Sequence, residues 1–421
     1  MQKLIVKGGK ALSGTISISG SKNATLPILA ASILSDKKII LKNVPMVKDV
    51  STMANLLVSL GSSLKIKKKN CTIEIQNKKK LKSFASYQLL KTMRAGVLVL
   101  GPLLAKFKNA KISLPGGCAI GSRPVNLHLN ALKEMGAKIK IKDGYILATA
   151  SNGLKGAVIR LPKISVGATE NILIAACYAK GKTILKNCAC EPEIKDLSKF
   201  LVSMGCKIKW KKKRTVEILG VKKFKFVKYH IMFDRIEAGT FIIASALTKG
   251  NTIIKNVNHK IMSSELSALK KMGVKIDKYK NKLLIKPSNK IKNINISTGP
   301  YPGFPTDLQA QIMVLMSMAK GESKITENIF ENRFMHAPEL NRMGANIIIK
   351  SNKAKINGVE YLNGAEVMAT DLRASVSLVL AGLIAKGKTI INRIYHLDRG
   401  YEKLEQKFFK CGVFVKRLRN E

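Results

Sequence analysis

The chain has 421 residues, of which 46% are hydrophobic, and this length predicts at least two globular domains. No apolar run reaches membrane-spanning length without a charge or a turn, and the N-terminal residues lack the apolar core of a signal peptide. We therefore expect a cytoplasmic protein. The seven cysteines are irregularly spaced, which argues against a disulfide framework, and Cys188-x-Cys190 has the wrong spacing for a zinc knuckle.

Lysine and arginine outnumber aspartate and glutamate by 75 to 26, which gives a formal net charge of +49. A charge of this size is typical of nucleic-acid-binding proteins and keeps that function class open as an alternative. The basic runs, however, are scattered along the chain, and no aromatic stacking pattern interleaves with them. The favoured interpretation is a solvated surface that attracts anionic substrates. No nucleic-acid, membrane or obligate protein partner is predicted.

A helix that ends in an apolar residue followed by glycine recurs six times. The six glycines are separated by 75, 69, 68, 71 and 68 residues, and they are Gly61, Gly136, Gly205, Gly273, Gly344 and Gly412. Each is placed to end its helix in the left-handed conformation, and a strand-like segment follows. A second, apolar helix followed by a short strand recurs in most units. This period predicts an α/β protein with six repeats of about 70 residues, grouped as two pseudo-threefold domains.

Three junctions in the first half carry candidate binding residues. Lys22 and Asn23 follow a strand and begin a helix, where backbone N–H groups and a point charge can hold an anion. Arg94 precedes a wholly apolar segment, 97–104. The turn 163–170 contains small residues that permit the close approach of a ligand. Taken singly, a solvent-exposed cation or an ordinary helix cap explains each of them.

Three arginines in the second half occupy related positions in successive repeats. Arg333, Arg373 and Arg399 each stand after a strand or before a helix. Because guanidinium donors form a fixed fork, three such arginines in one cleft would bind a carboxylate or a phosphate. The alternative is a surface ion pair with a local acid, namely Asp371 for Arg373 and Asp398 for Arg399.

Two loops rich in glycine and proline are the most specific stretches. The first, 114–124, reads Leu-Pro-Gly-Gly-Cys-Ala-Ile-Gly-Ser-Arg-Pro and places Cys118 between a strand and a helix. A thiol beside Arg123 and a helix N-terminus is expected to be populated as the reactive thiolate, although a loop cysteine can also have no role. The second loop, 301–306, ends at a helix N-terminus, where Asp307 would ordinarily be a cap.

The pattern Pro-Gly-Gly-Cys-x-Ile-Gly-x-Arg-Pro-Val resembles the reactive loop of UDP-N-acetylglucosamine 1-carboxyvinyltransferases, and the resemblance runs along the whole chain. It implies two inside-out α/β barrel domains, residues 22–229 and residues 1–21 plus 230–421, with the active site between them. It also implies transfer of the enolpyruvyl group from phosphoenolpyruvate to the 3-hydroxyl of UDP-N-acetylglucosamine. Phosphate is released, no cofactor or metal is needed, and the step belongs to peptidoglycan synthesis.

The resemblance further implies residue roles. Cys118 is the expected acid, which could also form an enolpyruvyl adduct, and Asp307 is the expected base. The residues expected at phosphoenolpyruvate are Lys22, Asn23, Arg123, Arg333, Arg373 and Arg399. Those expected at the nucleotide sugar are Arg94, Arg123, Pro124, Val125, Asn126, Leu127, Lys163, Ile164, Ser165, Val166, Asp307 and Ile329. Asn126 stands where the family usually has aspartate, so it keeps the hydrogen-bonding capacity toward the uridine end and lacks the negative charge.

A second enzyme class shares this fold. The 3-phosphoshikimate 1-carboxyvinyltransferases catalyse the same group transfer to a different acceptor. The Pro-Gly-Gly-Cys loop argues against that activity, because those relatives do not use a catalytic cysteine. The loop therefore favours the nucleotide sugar as the acceptor.

Overall fold

The computed structural model describes residues 2–91, 93–114 and 125–418, which form two compact units. The first unit contains the described residues between 20 and 232, and the second contains residues 2–19 and 233–418. The chain passes between the units after Ser19 and again after Met232, whereas the predicted boundaries lie after residues 21 and 229. Cys118, Arg123 and Pro124 lie outside the described residues, so what is expected of them stays a prediction.

Each unit has three four-stranded sheets among its described residues, and all six sheets share one topology. An edge strand pairs in parallel with the second strand, and the other two pairings are antiparallel. The orders in the first unit are β14-β3-β5-β4, β6-β7-β9-β8 and β10-β11-β13-β12, formed by β3 (Ile39–Lys42), β4 (Ser63–Lys67), β5 (Thr72–Gln76), β6 (Phe84–Ala85), β7 (Asn109–Ser113), β8 (Lys138–Lys142), β9 (Tyr145–Thr149), β10 (Val158–Arg160), β11 (Lys182–Lys186), β12 (Lys207–Lys211), β13 (Thr215–Leu219) and β14 (Val227–His230).

The sheets of the second unit repeat this pattern. Their orders are β16-β17-β15-β2, β18-β19-β21-β20 and β22-β23-β1-β24, formed by β1 (Lys3–Lys7), β2 (Ser13–Ser17), β15 (Asn251–Lys255), β16 (Lys275–Lys278), β17 (Lys282–Lys286), β18 (Asn295–Ser297), β19 (Glu322–Thr326), β20 (Asn346–Lys350), β21 (Lys353–Asn357), β22 (Glu366–Met368), β23 (Lys388–Asn392) and β24 (Phe414–Leu418). The N-terminal strand β1 thus lies inside the last sheet, where Lys3 is opposite Leu418.

Many lysines lie on the outer faces of these sheets. Side chains alternate between the two faces of a strand, and in β8 the lysines Lys138, Lys140 and Lys142 are exposed while the intervening Ile139 is half-buried. β12 has the same alternation of lysine with an apolar residue. The scattered basic runs therefore coat solvent-facing strands, which agrees with the solvated surface that the sequence predicts.

Six helices are buried around most of their circumference, and they are α1 (Lys22–Ala31), α4 (Leu100–Phe107), α6 (Val166–Ala176), α8 (Arg235–Leu247), α10 (Gln309–Ser317) and α12 (Leu372–Ile384). A helix that is apolar all round belongs in an interior. The sheets therefore enclose these helices, as the resemblance implies. None of the described helices is long and apolar enough to cross a membrane.

The remaining helices are shorter or amphipathic, and they are α2 (Lys48–Leu60), α3 (Tyr87–Leu90), α5 (Asn126–Glu134), α7 (Pro192–Ser203), α9 (Ser263–Lys271), α11 (Ala337–Arg342) and α13 (Leu404–Phe409). All except α3 are followed within two or three residues by one of the six predicted glycines. These glycines have φ between +84° and +106°, so the predicted left-handed helix ends are confirmed. Their shared geometry supports the six repeats.

At each of the two connections between the units, the strand before the connection pairs with a strand that is distant in the sequence. In four sheets the edge strand and its parallel partner are consecutive around a buried helix, as in β10 and β11 around α6. By contrast, β2 leads into α1 but pairs with β15, and β14 leads into α8 but pairs with β3. Each unit therefore has one sheet whose edge strand is the last strand before the chain passes to the other unit. This strand is β14 in the first unit and β2 in the second.

Candidate active site

A single carboxylate in the second unit is held between two arginines. Asp307 lies in the 3-10 turn directly before α10. Its Oδ1 accepts a hydrogen bond from Arg333 Nη2 at 2.9 Å, and its Oδ2 accepts one from Arg373 Nη2 at 2.8 Å. The arginine side chains are 4% and 6% exposed, whereas that of Asp307 is 28% exposed. Two guanidinium groups thus converge on one carboxylate, and guanidinium groups are suited to binding anions.

Asp371 caps a helix instead of pairing with the side chain of Arg373. Its Oδ1 accepts hydrogen bonds from the backbone N–H groups of Arg373 at 2.7 Å and Ala374 at 3.2 Å, so it is the N-cap of α12. The guanidinium of Arg373 is buried and contacts Asp307 instead. The alternative interpretation of a surface pair between Asp371 and Arg373 is therefore wrong.

A buried hydroxyl network supports Arg373. The hydroxyl of Tyr401 lies 3.3 Å from Arg373 Nη1 and 2.9 Å from Thr240 Oγ1. Nε2 of Gln311 donates to Thr240 Oγ1 at 3.2 Å and to the carbonyl of Asp307 at 2.9 Å. Burial alone would lower the pKa of Arg373, but attraction to Asp307 and Tyr401 raises it above its usual value. We refer to Asp307, Arg333, Arg373 and Tyr401 as the Asp307 cluster.

Glu327 organises the loop beside this cluster. Its Oε2 accepts a hydrogen bond from Thr306 Oγ1 at 2.9 Å, one residue before Asp307. Its Oε1 accepts from Thr298 Oγ1 at 2.8 Å and from the backbone N–H of Ile329 at 2.8 Å. The buried carboxylate therefore fixes the position of Ile329, a predicted nucleotide-sugar contact whose side chain is 36% exposed. Glu327 could not be recognised from the sequence, because its partners lie up to 29 residues away.

Arg399 lies on a turn that two interactions hold in place. It ends the 3-10 turn Ile394–Arg399 and is half-buried. The preceding Asp398 accepts hydrogen bonds from Nη1 and Nη2 of Arg417 in β24, at 2.9 and 2.6 Å. A Cβ on Gly400 would lie 2.7 Å from Leu372. The turn thus packs against the N-terminus of α12, the helix that carries Arg373.

Other titratable groups near the cluster also escaped the sequence analysis. Burial lowers the pKa of His336 to about 4, with Asp371 opposing this and Arg333 adding to it. Arg235, the first residue of α8, donates to Glu265 at 2.7 Å in a pair whose side chains are 7% and 1% exposed. Within the described ranges, no group of three or more acidic, histidine or cysteine side chains is arranged to hold a metal ion.

In the first unit, Lys22 is held at a helix N-terminus. It begins α1, whose cap is Ser21, and Asn23 follows it in the first turn. Nζ of Lys22 lies 3.5 Å from Oδ2 of Asp49, and the two side chains are 13% and 6% exposed. Asp49 lies in the first turn of α2, and the sequence analysis did not single it out. The pair orients a cation where backbone N–H groups also favour an anion.

A neutral cluster lies elsewhere in the first unit. Nδ1 of His128 is 3.1 Å from Nδ2 of Asn171, and Oδ1 of Asn171 accepts from the backbone N–H of Gly101 at 2.8 Å. Burial lowers the pKa of His128 to about 4, and the positive charge of Arg94 adds to this effect. A Cβ on Gly167 would lie 3.3 Å from the His128 ring. We refer to His128, Asn171 and Gly167 as the His128 cluster.

The His128 cluster brings together three segments that were predicted to bind the nucleotide sugar. Arg94 begins the 3-10 turn Arg94–Val99, in which the carbonyl of Val97 accepts a hydrogen bond from Asn171 Nδ2 at 3.1 Å. α5 carries His128 and begins at the exposed Asn126, between the half-buried Val125 and Leu127. Gly167 follows the predicted residues of the third segment, of which Ser165 caps α6, Ile164 is half-buried, and Lys163 and Val166 are exposed. Contact between these segments agrees with a shared binding surface.

A family model described as EPSP synthase (3-phosphoshikimate 1-carboxyvinyltransferase) matches residues 6–408. The chain belongs to the enolpyruvyl transferase family. The match spans both units, and the Asp307 and His128 clusters lie within it. Membership in this family accounts for the predicted six-repeat architecture.

Curated members of the family are similar to the chain from end to end. A protein of Pelagibacter ubique named UDP-N-acetylglucosamine 1-carboxyvinyltransferase is 62% identical over 418 residues, covering 99% of this chain and 100% of the relative. One of Rickettsia prowazekii with the same name is 51% identical over 420 residues, with 99% and 100% coverage. This enolpyruvyl transferase therefore matches relatives of that name over both units.

Solved structures of the family share the fold at low identity. An enolpyruvyl transferase from Streptomyces tendae has a TM-score of 0.89 at 22% identity and covers 99% of this chain and 98% of its own. EPSP synthase from Acinetobacter baumannii has a TM-score of 0.79 at 18% identity, with 100% coverage of both chains. These similarities establish the two-domain α/β fold. They do not identify the acceptor.

Proposed function

We propose that this enolpyruvyl transferase moves the enolpyruvyl group of phosphoenolpyruvate to the 3-hydroxyl of UDP-N-acetylglucosamine and releases phosphate. The reaction is the first committed step of peptidoglycan synthesis and takes place in the cytoplasm. One observation carries the proposal: the chain is 62% identical, over 99% of its length, to a relative named for this activity. The reaction proceeds by addition and then elimination, through a tetrahedral intermediate.

Asp307 is the proposed base that accepts the proton of the sugar hydroxyl. Its contacts with Arg333 and Arg373 support this role, because they hold the carboxylate in one orientation with more than a quarter of its surface exposed. The same guanidinium groups are suited to the negative charges of phosphoenolpyruvate. An incoming anion then competes with Asp307 for them. Binding of phosphoenolpyruvate is therefore coupled to release of the Asp307 carboxylate from the two arginines.

The phosphate of phosphoenolpyruvate is assigned to Lys22, Arg123 and Arg399, and Asn23 adds a polar contact. The buried pair of Lys22 and Asp49 supports a fixed cation at the start of α1. The turn of Arg399 is anchored to β24 and to α12. Three cations around one phosphate favour its departure, because they stabilise the charge that builds up on the leaving group.

Cys118 is the proposed acid. Its proton goes to the methylene carbon of phosphoenolpyruvate, while the sugar oxygen bonds to the central carbon and Asp307 takes the hydroxyl proton. The Cys118 thiolate takes back a methyl proton as phosphate leaves, which restores the double bond. Neither step requires a cofactor. The thiolate form of Cys118 can instead add to the central carbon while a solvent proton goes to the methylene carbon, which gives the thioether-type adduct.

The nucleotide sugar is assigned to the surface around the His128 cluster. The residues assigned to it are Arg94, Arg123, Pro124, the residues 125–127, the residues 163–166, Asp307 and Ile329. The exposed side chains of Val166 and Ile329, 40% and 36%, support this because a bound ligand can cover them. Asn126 retains hydrogen-bonding capacity without the charge of aspartate.

A phosphate-release assay tests the proposal. The full chain is mixed with phosphoenolpyruvate and one acceptor at a time, and inorganic phosphate is measured. We expect release with UDP-N-acetylglucosamine and none above background with shikimate 3-phosphate. Release only with shikimate 3-phosphate would reassign the acceptor. Absence of release with either, together with salt-dependent retention on DNA, would favour the nucleic-acid-binding alternative.

A further inference from the structure

The hydroxyl of Tyr401 contacts all three buried helices of the second unit. Thr240 of α8 lies 2.9 Å from it, and Gln311 of α10 and Arg373 of α12 each lie 3.3 Å from it. Tyr401 is 4% exposed, and Thr240 and Gln311 are 0% exposed. At this depth the polar groups need partners within the protein. Tyr401 has no role in the proposed reaction.

The direction of each hydrogen bond follows from the protons that are available. The hydroxyl of Thr240 donates its one proton to the carbonyl of Ile236 at 2.8 Å. Thr240 can therefore only accept from Tyr401, which donates its own proton. A guanidinium has donors and no acceptor, so the Tyr401 oxygen accepts from Nη1 of Arg373. The hydrogen bonds thus run in one direction, from the guanidinium through two hydroxyls to a carbonyl of α8.

Gln311 reinforces this direction. Its Nε2 donates to the carbonyl of Asp307 at 2.9 Å, which determines the end of the amide that carries the donors. The same Nε2 lies 3.2 Å from Thr240 Oγ1 and 3.3 Å from the Tyr401 hydroxyl, so both oxygens face a further donor. Burial raises the pKa of Tyr401, so the phenol keeps the proton that it donates. Tyr401 is therefore held as a donor to Thr240 and as an acceptor from Arg373.

Two further contacts connect Tyr401 to the segments that carry the predicted arginines. The guanidinium of Arg373 lies over the phenol ring, with Cζ 5.8 Å from the ring centroid. The backbone N–H of Tyr401 donates to the carbonyl of Leu397 at 3.1 Å, in the turn that ends at Arg399. Tyr401 thus joins the side chain of Arg373 to the turn of Arg399.

We propose that Tyr401 is a positioning residue for phosphoenolpyruvate binding, which acts through Arg373 by fixing the orientation of its guanidinium. Nη1 is held by the Tyr401 hydroxyl and Nη2 by Asp307, so both ends of the fork are fixed. When an anion competes with Asp307 for Nη2, the contact with Tyr401 still holds the guanidinium in place. The inference rests on the proposed function, because that function directs Arg373 toward phosphoenolpyruvate.

Tyr401→Phe tests the hydroxyl alone, because phenylalanine keeps the ring beside Arg373. We expect the KM for phosphoenolpyruvate to rise at least about ten-fold, since a hydrogen bond to a charged group is lost. Arg333 still contacts Asp307, so kcat should fall by less than about three-fold and the KM for the nucleotide sugar should stay within about two-fold. An unchanged KM for phosphoenolpyruvate, or an equal rise in both KM values, would overturn the proposal.

Variants of Thr240 test the direction of the hydrogen bonds. Thr240→Val removes the acceptor of the Tyr401 proton, so it should also raise the KM for phosphoenolpyruvate. Because the two hydroxyls act as one unit, Thr240→Val combined with Tyr401→Phe should lie within about two-fold of the larger single effect. Thr240→Ser keeps the hydroxyl and should stay within about two-fold of the wild type. Effects that multiply in the double variant would show that the hydroxyls act independently, contrary to the proposal.

Thr252→Val is the matched structural control. The Thr252 hydroxyl is also buried in the second unit, where it donates to Ser245 Oγ at 2.9 Å. Its loss should lower the melting temperature and leave the KM for phosphoenolpyruvate unchanged. Thermal unfolding of every variant separates stability from substrate binding. A rise in this KM as large as that of Tyr401→Phe would reduce the role of Tyr401 to general stability and overturn the proposal.

Calorimetric titration of phosphoenolpyruvate into the full chain makes the same comparison without turnover. We expect Tyr401→Phe to bind it at least about ten-fold more weakly than the wild type does. The two proposals can therefore fail separately. Absence of phosphate release by the wild type with UDP-N-acetylglucosamine overturns the proposed function. Equal affinities of the wild type and Tyr401→Phe for phosphoenolpyruvate overturn the role of Tyr401.

Discussion

The Asp307 cluster and the His128 cluster both lie near the N-terminal ends of buried helices, yet the first is ionic and the second is neutral. Asp307 joins two arginines, each through a contact of less than 3 Å. His128 meets an amide, and burial with a nearby arginine keeps it uncharged. The ionic cluster supplies guanidinium groups, which suit an anionic group. The neutral cluster joins segments of the first unit through uncharged hydrogen bonds.

The largest expected effect breaks the ionic cluster. Asp307→Asn is nearly isosteric but removes the proposed base, so kcat should fall by about two to four orders of magnitude while the nucleotide sugar still binds. Phosphate release and calorimetric binding measure the two quantities. The matched control is Asp371→Asn, because asparagine caps a helix as well as aspartate does, and its kcat should stay within about two-fold. Near-normal turnover in Asp307→Asn would reduce Asp307 to a structural link between the arginines.

The neutral cluster predicts a pH dependence of stability. The folded-state pKa of His128 is about 4, below the value of about 6.5 in an unfolded chain. The unfolded chain therefore binds more protons between these values, and stability falls as the pH drops through this window. Between pH 7.5 and pH 5, His128 should cost about 2 kcal/mol of unfolding free energy.

Urea unfolding of His128→Gln measures this contribution. The variant should lose about 2 kcal/mol less than the wild type over the same pH range, because glutamine does not titrate. His336, whose pKa is also about 4, is present in both proteins and cancels in the difference. Equal slopes for the wild type and His128→Gln would show that the imidazole is not buried as described.

The smallest expected effect concerns the packing against the imidazole. A methyl group at Gly167 would lie 3.3 Å from a ring that is held by Asn171, so Gly167→Ala should lower the unfolding free energy by about 1 kcal/mol. The control is Gly299→Ala, since a Cβ there would have no neighbour within 4 Å. It should change the stability by less than about 0.5 kcal/mol. A neutral result for Gly167→Ala would mean that the ring can move away.

Local signals predicted much of the architecture. The six helix-ending glycines, from Gly61 to Gly412, have the left-handed φ that their position implied. The polar residues at strand-to-helix junctions do lie at the starts of buried helices or in the turns before them, as Lys22 and Asp307 show. These features depend on a few consecutive residues, because capping and left-handed backbone are properties of one turn of chain. The fold could therefore be predicted from a repeated local pattern.

Partnerships across the fold could not be predicted in the same way. Asp307 and Arg373 are 66 residues apart, and Gly101 and Asn171 are 70 apart. Nothing in the local sequence distinguishes such pairs from the nearer acid, which is why Asp371 was considered as the partner of Arg373. Glu327 escaped for the same reason. A buried carboxylate is recognisable only after the chain has brought its donors together.

Because β1 lies inside the last sheet, it cannot pair until the C-terminal part of the chain has been synthesised. Lys3 pairs with Leu418, so β1 leaves the ribosome about 415 residues (418 − 3) before its partner β24. At 5–20 residues per second this delay is roughly 20–80 s. During that time β1 is an unpaired strand with exposed apolar residues, whereas β2 waits only for β15 and the first unit can already fold. A chaperone that binds nascent apolar strands would find its target at Lys3–Lys7.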